Sequence, residues 1–140
     1  MSSKAQKPKQ RGVPYETQEV IVRDICERIA NGVSLHEALE EIPEAPNPGM
    51  FYYWLAKDET RALVEMYDHA RETQADVIVD NIFRTIASEP DVQRARLLAD
   101  TTKWVACKFR PGRYGERVAL AGDKHGAPIK VIMAKEDGDL

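Results

Sequence analysis

Apolar residues recur at three- and four-residue spacing along most of this chain, and the longest such pattern runs from Glu59 to Arg110. Leu63, Met66, Tyr67, Ala70, Val77, Ile78, Ile82 and Ile86 form one stripe, and Val92, Ala95, Leu98, Thr102, Val105 and Phe109 a second. This spacing predicts two long amphipathic helices. They are expected to fold back on each other at Ser88-Glu89-Pro90-Asp91, where Pro90 ends the first helix and Ser88 or Asp91 caps. Val77-Ile78-Val79 and Ile82-Phe83 widen the first stripe beyond what one partner helix covers. A second partner is therefore expected, either the chain's own N-terminal part or the same hairpin in a neighbouring subunit.

Ahead of the hairpin the pattern breaks into short pieces. Residues 1–14 are polar and proline-punctuated and are expected to form a disordered basic tail. Thr17 is the expected cap of a first helix carrying Val20, Ile21, Ile25 and Ile29, stopped at Asn31-Gly32. Ser34 with Glu37 three residues on is a capping box opening a helix over 35–42. Asn47-Pro48 starts a third helix to about Lys57, with Phe51, Trp54 and Leu55 inward and Gly49, Met50, Tyr53 and Lys57 outward. Three short helices in this layout, over residues 15–58, suggest a helix-turn-helix domain with the third helix in the recognition position. After the hairpin (59–112), residues 113–140 hold a lone β-branched run, Pro128 to Met133, and an acidic tail. A single strand is not stable alone, so this reading pairs Ile129 and Val131 between subunits in a closed β-barrel. The fold class expected is mainly α, with helix-turn-helix head, oligomerising hairpin and a short C-terminal strand in an intersubunit β-barrel.

Charge sharpens the picture because it is segregated. Residues 1–15 carry Lys4, Lys7, Lys9 and Arg11 without an acid; residues 16–58 and 59–90 are net −6 and −4; residues 91–117 are net +4. Two local basic segments are thus candidates for an anionic partner despite an overall charge of −3. The DNA-binding candidates are Lys4, Lys7, Lys9, Arg11, Gly49, Met50, Tyr53 and Lys57, with Arg110, Arg113 and Arg117 as a possible second contact. The oligomerisation candidates are Leu63, Tyr67, Ala70, Val77, Ile78, Ile82, Leu98, Val105, Ile129 and Val131.

Enzymatic chemistry is not suggested. No G-x-x-x-x-G-K-[ST] loop occurs, and His36, His69 and His125 have no metal-ligand spacing to Cys or acids. Glu65, Asp68, Glu72, Asp76 and Asp80 repeat along one helix, as a solvated face does. Neither cofactor nor metal is expected. Cys26 and Cys107 lack C-x-x-C spacing and read as buried thiols of a cytosolic protein. No apolar run is long enough to span a bilayer, so no membrane partner is expected.

Ala95-Arg96-Leu97, Asp100, Lys103-Trp104 and Pro111-Gly112-Arg113-Tyr114-Gly115-Glu116-Arg117-Val118 resemble the signature of the small terminase subunit of tailed bacteriophages, with arginine for lysine and glutamate for aspartate at its end. Trp54-Leu55-Ala56-Lys57 is similar to the end of that family's recognition helix, and Leu120-Ala121-Gly122-Asp123 with Ile129-Lys130-Val131 to its turn and C-terminal strand. The resemblance covers about residues 15–133. It implies a ring homo-oligomer that binds double-stranded viral DNA at the packaging site, presents it to the large terminase subunit and regulates that ATPase and nuclease. It also implies action in the host bacterial cytoplasm and absence from the mature virion. The alternative from the pattern alone is a dimeric helix-turn-helix transcriptional regulator reading a palindrome.

Overall fold

The structure, a computed structural model, describes residues 12–116. Seven helices follow in order: α1 (Tyr15–Ala30), α2 (Leu35–Glu41), α3 (Pro48–Lys57), α4 (Ala62–Asp80), α5 (Ile82–Ser88), α6 (Val92–Phe109) and α7 (Pro111–Tyr114). Helices α1 to α3 and the first half of α4 make a head. The rest of α4, with α5, folds against α6 as a hairpin.

Local chemistry sets most of the boundaries. The Ser34 hydroxyl accepts the Glu37 N–H while the Glu37 carboxylate accepts the Ser34 N–H, so the expected capping box is complete. The Asn47 side chain accepts the Met50 N–H at 2.8 Å and Pro48 fills the first turn, where its missing N–H costs nothing. At the hairpin turn Asp91 is the cap, accepting from the Gln93 and Arg94 N–H groups; Ser88 instead bonds back to the Thr85 carbonyl.

Two starts differ from expectation. Helix α1 begins at Tyr15, two residues before Thr17, because the Pro14 carbonyl accepts the Thr17 and Gln18 N–H groups and the Gln18 side chain donates to the Val13 carbonyl. Within α1, Val20 is 61% exposed, and Val22 and Cys26 join Ile21, Ile25 and Ile29 in the core. Helix α4 is entered through Asp58. Its carboxylate accepts the Leu63 N–H and the Thr60 N–H and hydroxyl while Arg61 takes a left-handed φ of 61°. The long first helix of the expected hairpin is also interrupted at Asn81, whose side chain donates to the Val77 carbonyl.

The question of what covers the broad apolar face of α4 has a split answer. Leu63 and Ala70, expected at a subunit interface, are buried in the head core with Phe51, Ile25 and Ile29, so they are not available to a neighbour. Tyr67 is half-buried with its ring 5.4 Å from Phe51, edge-on. Val77, Ile78, Ile82 and Val105 stay half-exposed, and Leu98 is 36% exposed. Farther along α4, the Gln74 side chain donates to the Val33 carbonyl at 2.8 Å and pins α4 to the turn after α1. That turn needs Gly32, which has a φ of +99° and lies where a Cβ would meet Val77 Cγ1 at 3.3 Å. Gly32→Ala is expected to destabilise the fold by about 1–2 kcal/mol through backbone strain; urea unfolding checks this, and an unchanged midpoint would refute it.

The β component of the expected fold class is corrected. Every regular element among the described residues is helical. Residues assigned beyond the hairpin, Arg113 and Tyr114, continue as α7, because Pro111 starts a new turn that folds back onto α4. Among the described residues the fold is therefore helical, with no strand or barrel. Ile129 and Val131, on which the strand was placed, lie outside the described residues, as do Lys4, Lys7, Lys9, Arg11 and Arg117.

Candidate nucleic-acid interface

Helix α3 is held from below by Phe51, Trp54 and Leu55, which are 0%, 3% and 6% exposed. With those three turned inward, the helical period brings Gly49, Met50, Tyr53 and Lys57 to the opposite side. There they line an open groove of about 760 Å³ together with Gly12, Val13 and Gln18. All four outward residues expected on α3 are thus brought together, Met50 half-buried and the others exposed. The Lys57 ammonium lies 5.7 Å from the Tyr53 ring centroid, which holds the cation over the groove instead of leaving it free to turn away. The groove joins an aromatic face, a thioether and one cation, a set suited to a phosphate and a base edge or thymine methyl.

The other wall has no counterpart in the helical pattern. Gly12 and Val13 lie against this face, held through the Gln18–Val13 hydrogen bond. Arg11 is bonded to Gly12, so the basic segment from Lys4 to Arg11 joins the head at the α3 face rather than at a distance from it. Eight extended residues reach up to about 28 Å.

The second expected basic site is differently employed. Arg110 and Arg113 both engage the Asp76 carboxylate from α4, Arg113 at 3.1 Å, and the Tyr114 hydroxyl donates to it at 2.7 Å. The Cys107 thiol donates to the Tyr114 carbonyl at 3.0 Å. One carboxylate thus ties α7 and the end of α6 to α4, and part of the positive charge of these arginines is spent within the chain. The Tyr114 hydroxyl, and next the two guanidinium groups, hold the Asp76 carboxyl below its ordinary value; the bond to Asp76 pushes the Tyr114 phenol up. Asp58 is lowered likewise by the Leu63 N–H and the Thr60 hydroxyl. A carboxyl depressed in the folded state contributes stability that is complete above its unfolded value, about 3.9, and is lost as pH falls through the folded value. Acid titration by circular dichroism should therefore show a stability loss below about pH 4 that is shallower in Asp76→Asn; identical acid limbs would refute the role of this cluster.

Other groups have structural employment. Burial pushes the Cys26 thiol up to about 12, far from a reactive thiolate. The Arg71 guanidinium donates to the Tyr67 hydroxyl and Gln74, and stacks between the Tyr67 and Phe109 rings at 5.1 and 4.8 Å. Among the described residues no group of three or more His, Cys, Asp or Glu side chains is placed to hold a metal, and no helix is long and apolar enough to cross a membrane.

On the hairpin, the stripes read from sequence include Phe83 and Val92 but miss Leu97 and Trp104, and all four are exposed. Phe83, Val92, Leu97 and Trp104 are 82%, 79%, 66% and 63% exposed. Leu97 and Trp104 fall outside the stripe that packs α6 onto α4, and that off-stripe position was the available signal.

Residues 17–121 match the family model described as bacteriophage Sf6, terminase small subunit-like. Crystal structures of single-site variants of the terminase small subunit gp1 of the bacterial virus Sf6 are similar to this chain. One has 30% identity and a TM-score of 0.66, over 90% of this chain and 100% of that one. A second has 31% identity and a TM-score of 0.63, over 85% and 93%; a third has 31% and 0.62, over 84% and 92%. Comparison with curated protein sequences finds no match.

Proposed function

Because the chain belongs to the bacteriophage Sf6 terminase small subunit-like family, we propose that it is a non-catalytic DNA-packaging subunit that assembles as a ring, binds double-stranded viral DNA at the packaging site and presents it to the large terminase subunit. It regulates the ATPase and nuclease of that partner and acts in the host cytoplasm. The observation that carries the DNA-binding part is the convergence at one groove of the α3 face with the attachment point of the basic tail. An acidic head with a single lysine on its reading helix is a weak DNA binder by itself. A tethered tail of four cations adds phosphate contacts at the same place, and repetition around a ring raises avidity by ~10²–10⁴ where DNA engages several heads.

The test is the solution mass of the full chain by native mass spectrometry, followed by fluorescence anisotropy with a packaging-site duplex. A single large closed species is expected, and a Tyr53→Ala, Lys57→Ala double variant should bind DNA roughly tenfold or more weakly, as loss of about 1–3 kcal/mol at a base or phosphate contact gives. A dimer would overturn the ring, and unchanged affinity in the double variant would move DNA away from α3.

A further inference from the structure

The face of α3 lacks the groups that usually tell one base from another. In the major groove the discriminating hydrogen bonds are arginine or lysine on guanine, asparagine or glutamine on adenine, and a carboxylate accepting from cytosine. Among the described residues no arginine, asparagine, aspartate or glutamate lines this groove. Its one amide, Gln18, is engaged at 2.8 Å with the Val13 carbonyl. Asn47, at its edge, accepts the Met50 N–H as the cap of α3, and a fork to adenine would cost that cap. Lys57 is the last residue of α3. In a helix-turn-helix the N-terminal residues of the reading helix meet the base edges, so Lys57 stands where a phosphate passes.

The first turns of α3 present small or apolar groups instead. Gly49 is exposed, Met50 is half-buried beside it, and Tyr53 follows one turn on, 55% exposed. Met50 packs against the head core from its outer side, which holds the thioether in place at the groove. In unmodified DNA the C5 methyl of thymine is the apolar group that a major-groove edge offers, and apolar side chains recognise it by contact. Gly49 adds a second sign. A Cβ there would meet the Asn47 Oδ1 at 3.4 Å, an ordinary contact, and its φ is not left-handed. The fold therefore does not need glycine at this position, and glycine is a poorer helix former than alanine. A bare Cα on the outward face lets a base edge come close to Met50.

Resting on the reading of α3 as the DNA-binding helix, we infer that this groove discriminates sequence through the C5 methyl of thymine, which Met50 covers while Gly49 clears the approach. Lys57, and the Arg11 joined to Gly12 at the rim, supply the charge for the flanking phosphates. The head then favours thymine-bearing steps and has no group that selects guanine or cytosine. Its specificity is modest per contact, because one methyl is a small group.

The test is fluorescence anisotropy of the full chain with an alternating dA–dT duplex, and with the same duplex carrying dU at every dT. That change removes the methyl and keeps every hydrogen-bonding group of the edge. The wild type should bind the dU duplex roughly fourfold more weakly for each methyl covered, the factor for one buried carbon. Met50→Leu, which keeps an apolar side chain, should retain the preference, and Met50→Ala should bind the two duplexes alike. Gly49→Ala should unfold at a urea midpoint no lower than that of the wild type, yet lose at least the same factor on the dT duplex, since the added carbon holds the methyl off Met50. Equal affinity of the wild type for both duplexes would overturn the inference, as would a preference that survives in Met50→Ala. Unchanged affinity for the dT duplex in the Tyr53→Ala, Lys57→Ala variant would instead move DNA off α3 and remove the reading on which the inference rests.

Discussion

Phe51→Ala is expected to destabilise the protein by about 3–5 kcal/mol, the range for truncating a fully enclosed aromatic side chain. Phe51 is 0% exposed, and its ring meets Tyr67 edge-on at 5.4 Å and 71°, so it joins α3 to the first half of α4. The loss combines the burial free energy of the removed apolar group with a cavity left in the core that Phe51 shares with Ile25, Ile29 and Leu63. Such a loss is a large part of the 5–15 kcal/mol that typically separates folded from unfolded chains. DNA binding should fail with folding, because Gly49, Met50 and Tyr53 are presented only while their helix is anchored. Guanidinium unfolding followed at 222 nm measures this. A loss within roughly 0.5 kcal/mol, the range of surface changes, would mean that α3 is not held from beneath as described.

The second large effect lies in the tail. Replacing Lys4, Lys7, Lys9 and Arg11 together with alanine is expected to weaken DNA binding and flatten its salt dependence. Each phosphate neutralised contributes about 0.9 to the slope of log K against log salt on B-DNA, so four contacts contribute about 3.6 per engaged tail. The slope matters more than the affinity, because it distinguishes lost phosphate contacts from a general weakening. Titrations across a series of salt concentrations read it directly. Equal slopes for the two proteins would make the tail a solubilising segment and leave the α3 face to bind alone.

These two expectations draw on different levels of information. The outward set on α3 was legible from sequence because Asn47 and Pro48 set the helix phase locally and Trp54 can only point inward. The Ser34–Glu37 box was legible for the same reason: both partners lie within one turn. The start of α1 was not, since Gln18 supports it by reaching back to the Val13 carbonyl, a bond that no cap preference encodes. Arg110 and Arg113 looked like free groove cations because their partner, Asp76, stands more than thirty residues earlier on another helix. The α4 face was ambiguous for a related reason. An apolar stripe declares that it will be covered but not by what, and Leu63 and Ala70 went to the head while Val77, Ile78 and Ile82 stayed at the surface.

The sequence alone determined the main helical segments, the caps at Ser34, Asn47 and Asp91, the segregation of charge and the family resemblance, because each is carried by neighbours a turn or less apart or by residues in fixed order. Only the tertiary structure decided that Gly12 and Val13 lie with the α3 face at one groove, that Asp76 gathers two arginines and a tyrosine, and that Leu97 and Trp104 are left in water. Those outcomes depend on which helix faces which, and helix packing is settled by the shape of the whole core, to which periodicity along a single helix is blind.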